Sequence, residues 1–501
     1  MNRQRSYRAR NERSFLAIIL SAHRQVLFIF TIILFLSLFL VSCREDPKYK
    51  RPPVPVPTSY RGYSEGALYN MAPSGLNTTL GDLFWWELLQ DDALKDLIQT
   101  AIKQNYDVRL AVERIQEARA NVGIYRSSQF PQVTGTANYK TEKISSAEST
   151  QVLSELPDSM HSFSASLQAV FELDFWGRLR KSTEAAKYQL LATEEAKNTV
   201  LMTLVGEVTS SYFYLLELDM EKEICEKTLK SREESLKLVK TREKGGVATM
   251  LDVDQSQGLV YSAQKAKTGT EQLIAQQENY INFLLGRNPQ TVLRGKKTLV
   301  QQIKEPPLPP GLPSSLLESR PDIRMAEQQL IASNIEIGVA RAAYFPQVTL
   351  TGARGVRSKD LTDLFTNPGN TWIFQPQITV PIFNGGRIRS QVKVAESQKR
   401  QAIIQYEKTV QNAFREVSDA LIGYSRKREF RVQSEALTAT LKDQSRLSNL
   451  RYEAGVTSYL EVLDTERQYF ESELELSKAR LDELLYVIKL YKALGGGWKQ
   501  K

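Results

Sequence analysis

The chain has 501 residues, of which 25% are charged and 42% hydrophobic, and its mean hydropathy is −0.35. That balance excludes both an intrinsically disordered chain and a polytopic helical membrane protein. The net charge of +9 does not signal a polyanion partner: residues 1–42 hold six Arg and one Glu, so the other 459 residues carry only +4. Two cysteines exclude a disulfide framework and the usual cysteine-based zinc site.

Taken from the N-terminus, Arg3, Arg5, Arg8, Arg10, Arg13 and Arg24 precede an apolar run, Val26 to Val41, that is short for a membrane span. A basic region, an apolar region and a small-residue exit predict a secretory signal over residues 1–42. Leu40, Val41, Ser42 and Cys43 resemble the bacterial lipoprotein box, which implies a covalent lipid (palmitate) on Cys43; the alternative is a plain cysteine after an ordinary signal. Residue 44 is Arg and not Asp, which by the lipoprotein resemblance implies sorting to the outer membrane. Residues 43–80 contain Pro47, Pro52, Pro53, Pro55 and Pro57 and read as a stiff, extended, lipid-anchored tether.

The rest of the chain is written twice. Phe130-Pro131-Gln132-Val133-Thr134 returns as Phe345-Pro346-Gln347-Val348-Thr349, 215 positions later. Gly177-Arg178-Leu179-Arg180 returns as Gly386-Arg387-Ile388-Arg389, and Gly246-Val247 as Gly455-Val456, both 209 positions later. Residues 81–304 and 314–501 therefore form two repeats, joined over 305–313 by a linker rich in proline.

Each repeat reads helix, strand, strand, long helix, turn, helix. The first helix is predicted over 93–129, where strong helix formers dominate and breakers are few. Proline then opens the extended segments. Phe163, Ala165, Leu167, Ala169, Phe171, Leu173 and Phe175 alternate with Ser164, Ser166, Gln168, Glu172 and Asp174, Val170 being the exception. Trp372, Phe374, Ile378, Val380 and Ile382 do the same in the second repeat. Period two over a dozen residues predicts a two-faced strand of about 40 Å, long enough to cross a bilayer on a tilt, with the polar face lining water and Phe, Trp and Leu facing lipid. Gly177 to Gly246 and Gly386 to Gly455 are both 69 residues without proline, which predicts helices of about 100 Å. A helix over 249–286 follows the first of them. Four amphipathic strands cannot close around a lumen, so either the strands do not cross the membrane or the chain oligomerises, the economical closure being three chains contributing four each.

The mature chain resembles the outer-membrane efflux channels typified by TolC and OprM, most closely their lipoprotein (NodT) branch. The resemblance rests on the lipoprotein box followed by Tyr49-Lys50-Arg51-Pro52, on Ser319-Arg320-Pro321-Asp322-Ile323, on the two Phe-Pro-Gln-Val segments, on Pro381-Ile382-Phe383-Asn384-Gly385-Gly386, and on the ending Leu490-Tyr491-Lys492-Ala493-Leu494-Gly495-Gly496-Gly497-Trp498. It implies a mainly α fold with a β-barrel part: as a homotrimer, a 12-stranded transmembrane β-barrel on a long periplasmic α-barrel. It further implies a passive exit duct of a tripartite efflux system that exports small molecules or drugs, with a periplasmic adaptor, an inner-membrane transporter and outer-membrane lipid as partners and no nucleic acid. The alternatives are a type I protein-secretion duct and a lipid-anchored coiled-coil adaptor without a pore; the latter has no use for four alternating strands.

Such a duct needs a docking surface and a gate. The resemblance implies adaptor docking at Gly246, Val247, Ala248 and Thr249 and at Gly455, Val456, Thr457 and Ser458, although any helical hairpin favours these residue types at its turn and next N-cap. It also implies a periplasmic gate in which Asp464 forms a three-fold acidic ring and Arg451, Tyr452 and Arg467 tie neighbouring helices shut. The spacing of Asp464 and Arg467 equally suits an ordinary ion pair along one helix. No enzyme is expected and no cofactor or metal beyond the lipid. Gly62-Tyr63-Ser64-Glu65-Gly66 has the pattern of a hydrolase elbow, but it follows a proline-rich tether, and the two histidines, His23 in the signal and His161 in a predicted loop, make no triad. Cys225 reads as a small buried apolar residue, and Trp85-Trp86 as packing.

Overall fold

The computed structural model describes residues 48–61, 80–143, 159–303 and 313–499. The signal, Cys43, Gly62 to Gly66 and linker residues 305–312 lie outside the described residues.

With single-turn helices left unlabelled, the elements are α1 (Asp92–Gln104), α2 (Tyr106–Ser127), β1 (Gln132–Lys143), β2 (Ser159–Leu173), α3 (Arg178–Lys244) and α4 (Met250–Leu284), followed by α5 (Pro321–Ala342), β3 (Gln347–Ser358), β4 (Asn370–Thr379), α6 (Arg387–Glu453) and α7 (Tyr459–Ala493). The repeat is visible in the lengths: α2 and α5 have 22 residues each, β1 and β3 12, α3 and α6 67, and α4 and α7 35. At about 1.5 Å per residue, 67 residues make a helix about 100 Å long, as the glycine spacing predicts.

Two expected boundaries move. The helix expected over 93–129 is two helices, because Asn105 adopts an extended ψ of 136° and caps the second. Its Oδ1 accepts from the backbone N–H groups of Asp107 (2.8 Å) and Val108 (3.2 Å), while its Nδ2 donates to the Leu284 carbonyl (2.9 Å). The expected faces also overrun their strands. Phe175 lies past the end of β2, and Val380 and Ile382 lie past β4, where Pro381 has no N–H to continue a ladder. His161, expected in a loop, belongs to β2 opposite Thr141.

By backbone contacts the chain divides into two compact units, each drawing on both repeats. One comprises Tyr125–Ala185 and Ser333–Ser397 and holds the sheet. Its strands are antiparallel in the order β1-β2-β3-β4. Directly paired residues share a face, so the register assembles one apolar side from all four strands. Val133, Ala137 and Tyr139 of β1 lie opposite Ala169, Ala165 and Phe163 of β2. Phe171 and Leu173 lie opposite Leu350 and Val348 of β3, and Val348 and Leu350 opposite Ile378 and Pro376 of β4. The other side carries Thr134, Thr136, Asn138, Ser162, Ser164, Ser166 and Gln168, with a hydroxyl contact of 3.0 Å between Thr136 and Ser166. Among the described residues β1 pairs only with β2 and β4 only with β3, so one edge of each has no strand beside it. Near the helix-connected end, Trp176 Nε1 donates to the Pro346 carbonyl (2.7 Å), and the Trp176 ring stacks on Phe345.

The second unit, Arg51–Ile124, Ala186–Ala332 and the chain from Gln398, is helical. Among the described residues α3 is the one helix long and apolar enough to cross a membrane, yet 61% of that stretch is buried within the protein. Leu201, Leu204, Val205, Val208, Tyr212, Phe213 and Leu215 there are core, so the segment packs rather than spans. A Cβ on Gly423 would overlap the Tyr486 ring, which sets how closely α6 and α7 approach. The tether is held down as well: Arg51 makes a two-pronged contact with Glu327 of α5 (2.7 and 2.6 Å), and Tyr60 is buried 6.5 Å from the Phe414 ring.

Candidate functional site

The ends of the two helical hairpins are built alike. α3 and α6 both terminate in a glycine with positive φ, Gly246 (73°) and Gly455 (74°), a conformation that side chains with a Cβ rarely adopt. The Val247 N–H reaches back to the Arg242 carbonyl and the Gly246 N–H to that of Glu243, both at 2.9 Å; Val456 and Gly455 repeat this with Arg451 and Tyr452. These are Schellman closures, which satisfy carbonyls the helix end leaves free. The next helix begins at once. Thr249 caps α4 in a reciprocal box with Asp252, whereas Ser458 precedes α7 without a side-chain cap and the Thr457 hydroxyl donates to Glu461. Tight reversal throws Val247 (80% exposed) and Val456 (68%) into solvent, with Leu251 and Leu460 exposed one turn further on. Ala248 turns inward instead.

Behind the turns the two hairpins pack against each other. Leu236 and Val239 of α3, Val253 and Val260 of α4, and Tyr459 and Val462 of α7 form one buried cluster, bordered by Tyr452, Ala248 and Leu463. Tyr452 and Tyr459 meet with ring centroids 5.1 Å apart, and the Tyr459 hydroxyl lies 3.3 Å from Ser235 Oγ. Arg242 crosses from the first hairpin to the second. Its guanidinium lies 4.5 Å from the Tyr452 ring centroid and donates to the Tyr452 and Glu453 carbonyls, both at 3.2 Å. A cation at those carbonyls offsets the negative end of α6.

The four residues singled out in the sequence for a gate fall into two groups. Tyr452 is locked between hairpins as described, and Arg451 Nε lies 3.8 Å from Glu461 Oε1 across its own turn. Asp464 and Arg467 pair with each other along one face of α7 (2.9 Å), both about half exposed, and Arg467 also approaches Glu471 (3.5 Å). Gln468 Nε2 adds a donor to Asp464 (2.6 Å). Within one chain, then, Arg467 does not reach a neighbouring helix. The tie between hairpins is Arg242, which the sequence reading passed over. Its signal was available: the 209-residue offset that aligns the turns places Arg242 on Arg451.

Deeper in the same bundle sit two charges that no sequence pattern marks. Arg232 is buried, with its ring-facing side 4.9 Å from the Phe470 centroid and Nη1 donating to the Leu259 carbonyl (3.0 Å). Burial lowers its pKa, opposed by Glu466. Burial in turn pushes the Glu466 carboxyl up, opposed by the Asn449 amide (3.3 Å) and by Arg232. Each partner thus softens the other's desolvation penalty. Farther along α3, Glu217 is fully buried, and burial together with the neighbouring Glu221 raises its pKa, while Ser477 and Lys478 of α7 pull the other way. Lys478 Nζ stands 3.4 Å from Glu221.

Nothing in this arrangement forms a catalytic constellation among the described residues, and no cluster of His, Cys, Asp or Glu there could hold a metal ion. The features that stand out are an exposed apolar turn on each hairpin, a polar lock behind it, and a sheet with one polar and one apolar face.

Comparison with known proteins places these features. The profile of the outer membrane efflux protein family matches residues 97–287 and 312–496, one segment in each repeat. The solvent efflux pump outer membrane protein SrpC of Pseudomonas putida is 37% identical over 472 residues, covering 93% of this chain and 97% of the relative. The cation efflux system protein CusC of Escherichia coli is 35% identical over 474 residues, covering 93% of this chain and 98% of the relative. Among solved structures, the open state of the MtrE outer membrane channel of Neisseria gonorrhoeae aligns with a TM-score of 0.79 at 30% identity, over 91% of this chain and 98% of that one.

Proposed function

The chain belongs to the outer membrane efflux protein family, and on that premise we propose that it is the passive exit duct of a tripartite pump that exports small molecules. The observation that carries the proposal is the sheet: four strands, apolar on one side and polar on the other, with β1 and β4 each open at one edge. Open edges are not tolerated in lipid, and four strands are too few to enclose water. Three copies joined β4 to β1 make a closed ring of twelve, with the face of Thr136, Ser166 and Thr371 toward the lumen and that of Phe163, Leu350 and Phe374 toward lipid. The strands cross the outer membrane, the helical hairpins stand in the periplasm, and a lipid on Cys43 tethers the N-terminus.

The exposed Val247, Leu251, Val456 and Leu460 at the hairpin turns are the surface offered to a periplasmic adaptor, which links the duct to an inner-membrane transporter. Behind them Arg242 and Tyr452 hold the resting end closed, and three copies of Asp464 converge as an acidic ring that favours cations. Solvents and cations figure in the names of SrpC and CusC, which is consistent with a duct whose upstream pump does the choosing. The family's occupation is conduction, so no residue is assigned a catalytic role.

Closure is tested by cysteines on the two free edges. In a Cys225→Ser background, Thr136→Cys on β1 is combined in turn with Thr371→Cys, Ile373→Cys, Gln375→Cys or Gln377→Cys on β4, all on the polar face. Oxidation of membranes should give covalent trimers as the largest species for at least one pair. Products that stop at dimers, run past trimers, or fail to form in every pair would exclude the ring.

A further inference from the structure

Arg354 stands on the wrong side of the sheet for a charge. The register sets it opposite Leu167 on β2 and opposite Trp372 on β4, on the face it shares with Leu350 and Val356. Arg357, three residues on, faces the other way, opposite Ser164. Among the paired strand residues this apolar face bears no carboxylate, and among the described residues Arg354 has no ion-pair partner, although its side chain is exposed.

A lipid-facing arginine is costly at mid-bilayer, and the cost falls almost to nothing at the interface. Arg354 lies in the half of β3 that leads to the β3–β4 hairpin, four residues from its end at Ser358. Its direct neighbour Trp372 is of the residue type that collects at membrane interfaces, as is Tyr139, whose ring is tilted against Phe163 with centroids 4.8 Å apart. β3 and β4 join helices through Gln347 and Thr379 and join each other at their opposite ends, so on the proposed barrel reading this rim belongs to the outer leaflet. A guanidinium there has five donors, no acceptor beside it and a fork that fits phosphate oxygens two at a time.

We infer that Arg354, flanked by Trp372, is a binding site for the phosphate of an anionic lipid headgroup in the outer leaflet of the outer membrane. This rests on the reading of the sheet as a lipid-facing barrel wall. The bound lipid satisfies the arginine's donors at the barrel perimeter, three times per trimer, and fixes the height of the wall in the membrane.

Native mass spectrometry of the full-length trimer, titrated with diphosphoryl lipid A, tests the site. Wild type should retain the lipid, and R354Q should bind it roughly five- to tenfold more weakly, a loss typical of one charge-assisted phosphate contact. R354K should fall between them, and R357Q, on the other face, should match wild type. Dephosphorylated lipid A should bind wild type and R354Q equally, and millimolar inorganic phosphate should not displace the diphosphoryl lipid. Equal retention by wild type and R354Q, an equal loss in R357Q, or displacement by free phosphate would each overturn the proposal. Channel recordings on the same samples separate the two readings: conducting R354Q trimers that keep the lipid sink the lipid site alone, whereas a wild-type trimer that never conducts sinks the barrel on which it rests.

Discussion

In single-channel recordings, wild-type trimers should open in small, brief events, and Arg242→Ala should raise the open fraction at least tenfold. Arg242 joins the two hairpins of one chain through two bonds to the last carbonyls of α6 and through its approach to the Tyr452 ring. A charged hydrogen bond contributes about 1.5–3 kcal/mol and an exposed cation–π contact about 0.5–1 kcal/mol. Partial loss of that sum in each of three chains exceeds the 1.4 kcal/mol that corresponds to a factor of ten. Arg242→Lys should recover part of the closure, since an ammonium still meets the carbonyls but cannot lie flat on the ring. The pair Asp464→Ala/Arg467→Ala should act differently. Its members are half exposed and bond along one helix, where solvent screens the pair, so the open fraction should move little. Cation preference should fall with the loss of the proposed Asp464 ring. An unchanged open fraction in Arg242→Ala would remove this arginine from the closing mechanism.

The second large effect is on stability. Arg320 is 3% exposed and gathers four partners: both oxygens of Asp322 (3.0 and 2.6 Å), the Ala493 carbonyl (2.9 Å) and Glu416 (2.8 Å). Burial alone would lower its pKa, but Asp322 and Glu416 reverse this and hold it above the ordinary value, so the guanidinium stays charged. The arginine ties the start of α5 to the end of α7, where Trp498 Nε1 donates to the Ser319 carbonyl (3.3 Å) and a Cβ on Gly495 would collide with the Ser319 backbone. Truncation to Ala strands two carboxylates and a carbonyl with no cation, a class of change that costs about 3–5 kcal/mol. Arg320→Ala trimers should lose resistance to heat, and a protease should release the C-terminal residues after Leu494 far faster than in wild type. Equal protease resistance in the variant would mean that the tail is held by its glycine turn and Trp498 alone.

Much of this was legible from sequence because duplication leaves a ruler. The offsets predict that the elements recur in matched pairs, the 69-residue glycine spacing predicts the two 67-residue helices, and the alternation after Phe163 predicts the faces of β2 that the register bears out. The break at Asn105 was not legible, since asparagine is unremarkable in a helix-rich stretch until its side chain is seen capping α2. In the second repeat Arg320 occupies the matching position, and Pro321 announces the same break openly. The hairpin turns were found through glycine, whose positive φ is a local property. The 209-residue offset aligns Arg242 with Arg451, but its contacts with Tyr452 and Glu453 become visible only once the two hairpins are packed together. Arg354 is likewise mute as a sequence feature: only the pairing with Leu167 and Trp372 puts it on the apolar side.

The claim that three copies of this chain enclose a water-filled duct is tested most directly by solute release from proteoliposomes. Vesicles holding the Arg242→Ala trimer and loaded with a small dye and a large dextran should lose the dye quickly and keep the dextran, and wild-type vesicles should lose the dye slowly. Retention of both solutes by vesicles shown to contain inserted, folded trimers would contradict the duct.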